Sequence, residues 1–246
     1  MTTDIRTATL ETLPSSEAVA LRMADLLVEG VFAKTDGKFR VALSGGSTPK
    51  RLFELLAEPE LAKRIPWDRI EIFYGDERHV PEGHADSNHT VGQSVLISRV
   101  PLPAENVHPI PTGGTVEADA RAYQKTLETA YGATELDPAR PLFDLVMLGL
   151  GTDGHTASLF PGEPVLQEKT AWVGTAAPKT APYERITLTY PAIHSSALVV
   201  FLVTGASKVE MLQRLREGDK TLPSANVTSE GRIVILADRA ATGDAA

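Results

Sequence analysis

The chain contains no cysteine. Disulfides, thiolate nucleophiles and cysteine-based zinc sites are excluded together, so any nucleophile must be water, hydroxyl, amine, carboxylate or imidazole. No apolar stretch approaches the length of a membrane span, and the N-terminus, Met1-Thr2-Thr3-Asp4-Ile5-Arg6, has no basic region leading into an apolar block. The expectation is a cytoplasmic protein. Positive charge is in the minority: 24 Lys and Arg stand against 32 Asp and Glu, a net charge of −8. This balance argues against nucleic-acid and anionic-membrane partners. It leaves room for an anionic small molecule, because a few cations in one pocket act locally, within the ~10 Å over which salt screens them.

With 246 residues, 42% of them hydrophobic and 23% charged, the chain is long enough for one large domain with a sizeable core. Short apolar runs of strand length fall at 39–43, 70–74, from 145, 185–189, 197–203 and 232–236, with a weaker, edge-like strand at 6–12. Helical spacing follows Pro14-Ser15-Ser16-Glu17 as far as Val31. It appears again after Pro49, over 88–97, over 116–131 and from Lys208 to about Arg216. Strands alternate with helices, and several strands are apolar throughout rather than alternating. The prediction is a single α/β domain over 1–246, with a mainly parallel, Rossmann-like sheet covered by helices on both faces. The Ala-rich end from about 240 to 246 reads as disordered.

In such a sheet the loops leaving strand C-termini open on one edge, where ligands bind. Four loops qualify. Ser44-Gly45-Gly46-Ser47-Thr48 joins a strand to a helix with Thr48 as the expected cap and Pro49 at the first helical position. Glycines and free backbone N–H groups at a helix N-terminus suit a phosphate. Taken alone it is equally a tight turn, and it lacks both the Walker lysine and the three-glycine dinucleotide spacing. Gly75-Asp76-Glu77-Arg78-His79 leaves the second strand and offers a guanidinium fork. Gly205-Ala206-Ser207-Lys208 sets a lysine against the positive end of a helix dipole, a placement that an anion would justify. Gly149-Leu150-Gly151-Thr152-Asp153-Gly154-His155 delivers an imidazole two positions after a carboxylate. His79, His84 and His89 cluster locally with Asp86 but lack defensible metal spacing. With no cysteine, serine-nucleophile motif or metal, general acid–base work by an imidazole on a phosphorylated small molecule is the most economical chemistry.

Ser44-Gly45-Gly46-Ser47-Thr48-Pro49, Gly75-Asp76-Glu77-Arg78, Asp86-Ser87-Asn88, the segment Gly149 to Pro161, and Gly205-x-x-Lys208 resemble, in this order, the motif set of the 6-phosphogluconolactonase family. The resemblance implies a single Rossmann-like domain related to glucosamine-6-phosphate deaminase. It also implies hydrolysis of 6-phosphogluconolactone in the pentose phosphate pathway, with neither metal nor cofactor. In the deaminase a glutamate follows the histidine by five positions and a tyrosine follows the Asp-Glu pair; Phe160 and Arg78 stand there here, which favours the lactonase. His89 departs from the lactonase pattern, where tyrosine is expected.

On this reading Ser44, Gly45, Gly46, Ser47 and Thr48, with Arg78 and Lys208, hold the phosphate. His155 is the acid–base residue, Asp153 orients it, and Asp76 binds sugar hydroxyls. The partner is a small phosphorylated lactone, with no nucleic acid or membrane, and the protein is a monomer or weak homodimer. The alternatives are a glucosamine-6-phosphate deaminase and a non-catalytic sugar-phosphate-binding protein. The second usually needs an output module, and the residues before the first loop lack a basic helix-turn-helix.

Overall fold

A computed structural model describes residues 2–244. In chain order the strands are β1 (Thr3–Asp4), β2 (Thr9–Leu13), β3 (Phe39–Leu43), β4 (Ile70–Tyr74), β5 (Asp76–Arg78), β6 (Leu145–Gly149), β7 (Val173–Ala176), β8 (Arg185–Leu188), β9 (Leu198–Val203), β10 (Thr228–Ser229) and β11 (Arg232–Asp238). The helices are α1 (Ser16–Ala33), α2 (Ser47–Leu56), α3 (Pro59–Ala62), α4 (Asn88–Val95), α5 (Val116–Tyr131), α6 (Tyr190–His194), α7 (Val209–Glu217) and α8 (Arg239–Thr242).

Six strands form the central sheet in the order β2-β11-β9-β6-β3-β4, and every neighbouring pair is parallel. The apolar runs explain the placement. Each residue of β9 is buried, as is each residue of β11 after Arg232, which requires cover on both faces. The weakly alternating Thr9–Leu13 takes an edge, where one side faces solvent. Phe73, Phe143 and Phe201 are fully buried in a single hydrophobic core to which α1, α2, α5 and α7 contribute one face each. Among the described residues no helix is long and apolar enough to cross a membrane.

Helix ends follow their caps. The Ser15 and Thr115 side chains accept the backbone N–H groups of Ala18 and Ala118, and Gly132 ends α5 in the left-handed conformation. The helix after the first glycine loop begins earlier than the sequence suggests. Gly46, at φ 113°, is its cap, and Thr48 lies inside the first turn. Pro49 is tolerated there because the N–H groups of the first turn have no partner within the helix in any case. The freed Thr48 hydroxyl lies 2.9 Å from that of Thr204, tying the first strand-exit loop to the fourth.

Two further expectations are corrected. The residues after β4 do not form a loop: Asp76–Arg78 is strand β5, which pairs antiparallel with β8 in a three-stranded sheet β5-β8-β7. Arg185–Leu188 is therefore absent from the central sheet, and backbone pairing across about a hundred residues overrides the local polarity of Asp-Glu-Arg. The Ala-rich end is ordered from 240 to 242. The Asp238 side chain accepts the N–H of Ala241, and Ala241 is fully buried, so capping and burial hold α8. Residues 245–246 lie outside the described residues.

Candidate active site

Each of the four loops predicted to share an edge contributes to one cavity of about 350 Å³. Ser44, Gly45, Gly46, Ser47 and Thr48 come from the β3 exit, Asp76 and Arg78 from β5, His155 from the β6 exit and Lys208 from the β9 exit. Asp153 is the one candidate residue outside the lining; it stands against His155.

The β6 exit builds an imidazole–carboxylate pair. Asp153 Oδ1 lies 2.5 Å from His155 Nδ1 and accepts the backbone N–H of His155 at 3.1 Å. A carboxylate can only accept, so the proton resides on Nδ1 and the Nε2 lone pair is left for chemistry. Burial pushes the Asp153 carboxyl up, but the N–H and imidazole of His155 outweigh it and hold the group below its usual range. The side chains of His155 and Asp153 are 31% and 37% exposed, so water reaches the pair. Phe160 packs on the imidazole with ring centroids 4.3 Å apart. Gly151 must lack a side chain here: a Cβ would stand 2.1 Å from His155 Nδ1.

Two cations, Lys208 and Arg78, also line the cavity. Burial pushes the Lys208 ammonium below its ordinary value, partly opposed by the charge of Asp153. Arg78 Nη1 donates to the Asp86 carbonyl at 2.6 Å, which fixes the guanidinium by one corner. Backbone N–H groups at the start of α2 complete a concave, electropositive end suited to a phosphate.

Asp76 is held from two sides. Ser158 Oγ donates to its Oδ2 at 2.6 Å, and Asn88 Nδ2 donates to its backbone carbonyl at 2.9 Å. Asn88 and Ser158, each inside one of the motif segments, both position this carboxylate. Glu77 points the other way. It accepts the backbone N–H groups of Arg78, Asn88 and His89 and the hydroxyl of Ser87, which anchors the start of α4 against β5, while burial pushes its carboxyl up.

The histidines around 79–89 do not converge. His79 Nε2 lies 2.9 Å from Asp119, and His89 Nδ1 lies 2.9 Å from the Tyr74 hydroxyl, beneath the loop rather than in the cavity. The departure at His89 is thus a core contact. Arg185 escaped notice altogether; a lone charge opening an apolar strand is the signal that could have found it.

Residues 14–235 match the family described as glucosamine-6-phosphate isomerases/6-phosphogluconolactonase. A 6-phosphogluconolactonase of Nostoc sp. is 38% identical over 240 residues, covering 95% of this chain and 96% of the relative. One from Synechocystis sp. is 39% identical over 210 residues, covering 83% and 84%. The solved structure of a 6-phosphogluconolactonase from Trypanosoma cruzi superposes with a TM-score of 0.83 at 26% identity, covering 97% of each chain.

Proposed function

The chain belongs to the glucosamine-6-phosphate isomerase/6-phosphogluconolactonase family, and from that membership we infer that it hydrolyses 6-phospho-D-glucono-1,5-lactone to 6-phosphogluconate in the pentose phosphate pathway. The observation that carries lactonase over deaminase is Phe160. An apolar ring packs on the imidazole where the deaminase pattern calls for a glutamate, so the carboxylate paired with His155 is Asp153 and the deaminase glutamate is missing from its position.

The phosphate lies between Arg78, Lys208 and the Ser44–Thr48 backbone. It thereby fixes the lactone with C1 near His155, converting a bimolecular encounter into a positioned one. Neutral His155 takes a proton on Nε2 from a water as the water oxygen bonds to C1. The imidazolium then gives that proton to the ring oxygen as the C1–O bond breaks. Asp153 holds the tautomer and steadies the imidazolium, and Asp76 accepts hydrogen bonds from sugar hydroxyls. The acidic charge and absence of cysteine accord with a cytoplasmic enzyme that binds neither nucleic acid nor membrane.

The test is substrate discrimination: the purified protein accelerates lactone hydrolysis and releases no ammonia from glucosamine 6-phosphate. Ammonia release with an unaltered lactone rate would reverse the assignment.

A further inference from the structure

Arg185 opens β8 and is only 5% exposed, yet neither Nε nor Nη1 of its guanidinium has a hydrogen-bond partner among the described residues. A buried charged donor without a partner is one of the costlier groups a fold can hold, and it calls for an occupant. The surrounding carboxylates do not supply one. Asp76 Oδ2 is taken by Ser158, Glu77 accepts four other donors, and Asp86 Oδ2 accepts the Tyr183 hydroxyl.

The strand register locates the group. In the β5–β8 pair Asp76 stands opposite Thr187 and Arg78 opposite Arg185. Residues directly opposite, and residues two apart, share one sheet face. Asp76 and Arg78 line the cavity, so Arg185 adjoins the lining on the same face, beside Arg78. Thr187 confirms the side, since its hydroxyl accepts the N–H of Ser158, the residue whose own hydroxyl binds Asp76. Burial lowers the Arg185 guanidinium below its ordinary value and the charge of Arg78 adds to the effect, opposed by Asp76, Glu77 and Asp86. Two neighbouring guanidiniums, one buried and unpaired, form an arrangement that a dianion completes.

We propose that Arg185 is a substrate-binding residue, which joins Arg78 in gripping the phosphate of the sugar lactone and sets the requirement for a phosphorylated substrate. This rests on the lactonase reading, because the phosphate is the only ionised group on that substrate.

Wild-type turnover of the lactone, measured first, reads the lactonase assignment separately. Arg185→Met and Arg185→Lys are then compared with wild type for KM, kcat and the calorimetric Kd of 6-phosphogluconate. The expected result is a rise of about tenfold or more in KM and Kd for Arg185→Met, the loss typical of a charge-assisted hydrogen bond, with a smaller rise for Arg185→Lys and the main effect not on kcat. In wild-type protein the side-chain Nε–H resonance of Arg185 should shift on adding 6-phosphogluconate and stay still with gluconate, which decides the matter even where Arg185→Met fails to fold. KM and Kd within twofold of wild type in folded Arg185→Met, or an Nε–H resonance unmoved by 6-phosphogluconate, would overturn the proposal.

Discussion

Asp153 accepts two hydrogen bonds from a single residue: Oδ1 lies 2.5 Å from His155 Nδ1 and 3.1 Å from the His155 backbone nitrogen. The two contacts fix the ring and its tautomer together, so the carboxylate acts on the reaction through the imidazole. Asp153→Asn removes the charge and permits the wrong tautomer while keeping the shape. We expect kcat to fall by roughly 10²-fold, the low end of the range for general acid–base catalysis, with KM nearly unchanged. Steady-state kinetics on fresh lactone checks this, and a large KM effect with intact kcat would assign Asp153 to substrate binding instead.

Gly151 tests the same pair sterically. A Cβ at this position would lie 2.1 Å from His155 Nδ1 and 2.7 Å from Asp153 Oδ1, so Gly151→Ala pushes both groups out of register. Misplacement on the scale of an ångström is worth about 10²-fold in rate, and that loss is expected in kcat while circular dichroism stays native. A variant with wild-type kcat would show that the pair is not the reacting geometry.

Lys208 gives the site a pH dependence of definite sign. Burial lowers the ammonium, so the charge that attracts phosphate is lost at lower pH than on an exposed lysine. The affinity for 6-phosphogluconate should therefore weaken as pH rises through that lowered value. Lys208→Arg remains charged and should carry the weakening to higher pH. Calorimetric titrations across the alkaline range follow it; superimposable profiles for the two proteins would remove Lys208 from the phosphate site.

The central sheet was readable because several of its strands, β6 and β9 above all, are apolar throughout and several exits are punctuated by glycine. Ala-Leu-Ser-Gly-Gly before Pro49 and Met-Leu-Gly-Leu-Gly before His155 announce both strand and loop, and the cavity residues from the β3, β6 and β9 exits follow from parallel topology alone. What escaped depended on partners distant in sequence. Asp76-Glu77-Arg78 carries no strand pattern, and becomes one only because β8 offers a pairing edge. The helix start at Gly46 required a φ of 113°, information that the order Gly-Gly-Ser-Thr-Pro does not contain. Arg185 was hidden by its neighbours, since Ile186-Thr187-Leu188 reads as core and the charge at its head looks like an edge. The role of His89 likewise emerged only with Tyr74 beside it.

The most direct measurement is the initial rate at which fresh 6-phosphogluconolactone disappears, corrected for spontaneous hydrolysis, with wild type and His155→Ala side by side. The account predicts strong acceleration by the wild type and a kcat lower by roughly 10²–10⁴-fold in the variant, with 6-phosphogluconate still bound. A wild-type rate equal to the spontaneous one, or a His155→Ala variant as fast as wild type, would contradict it.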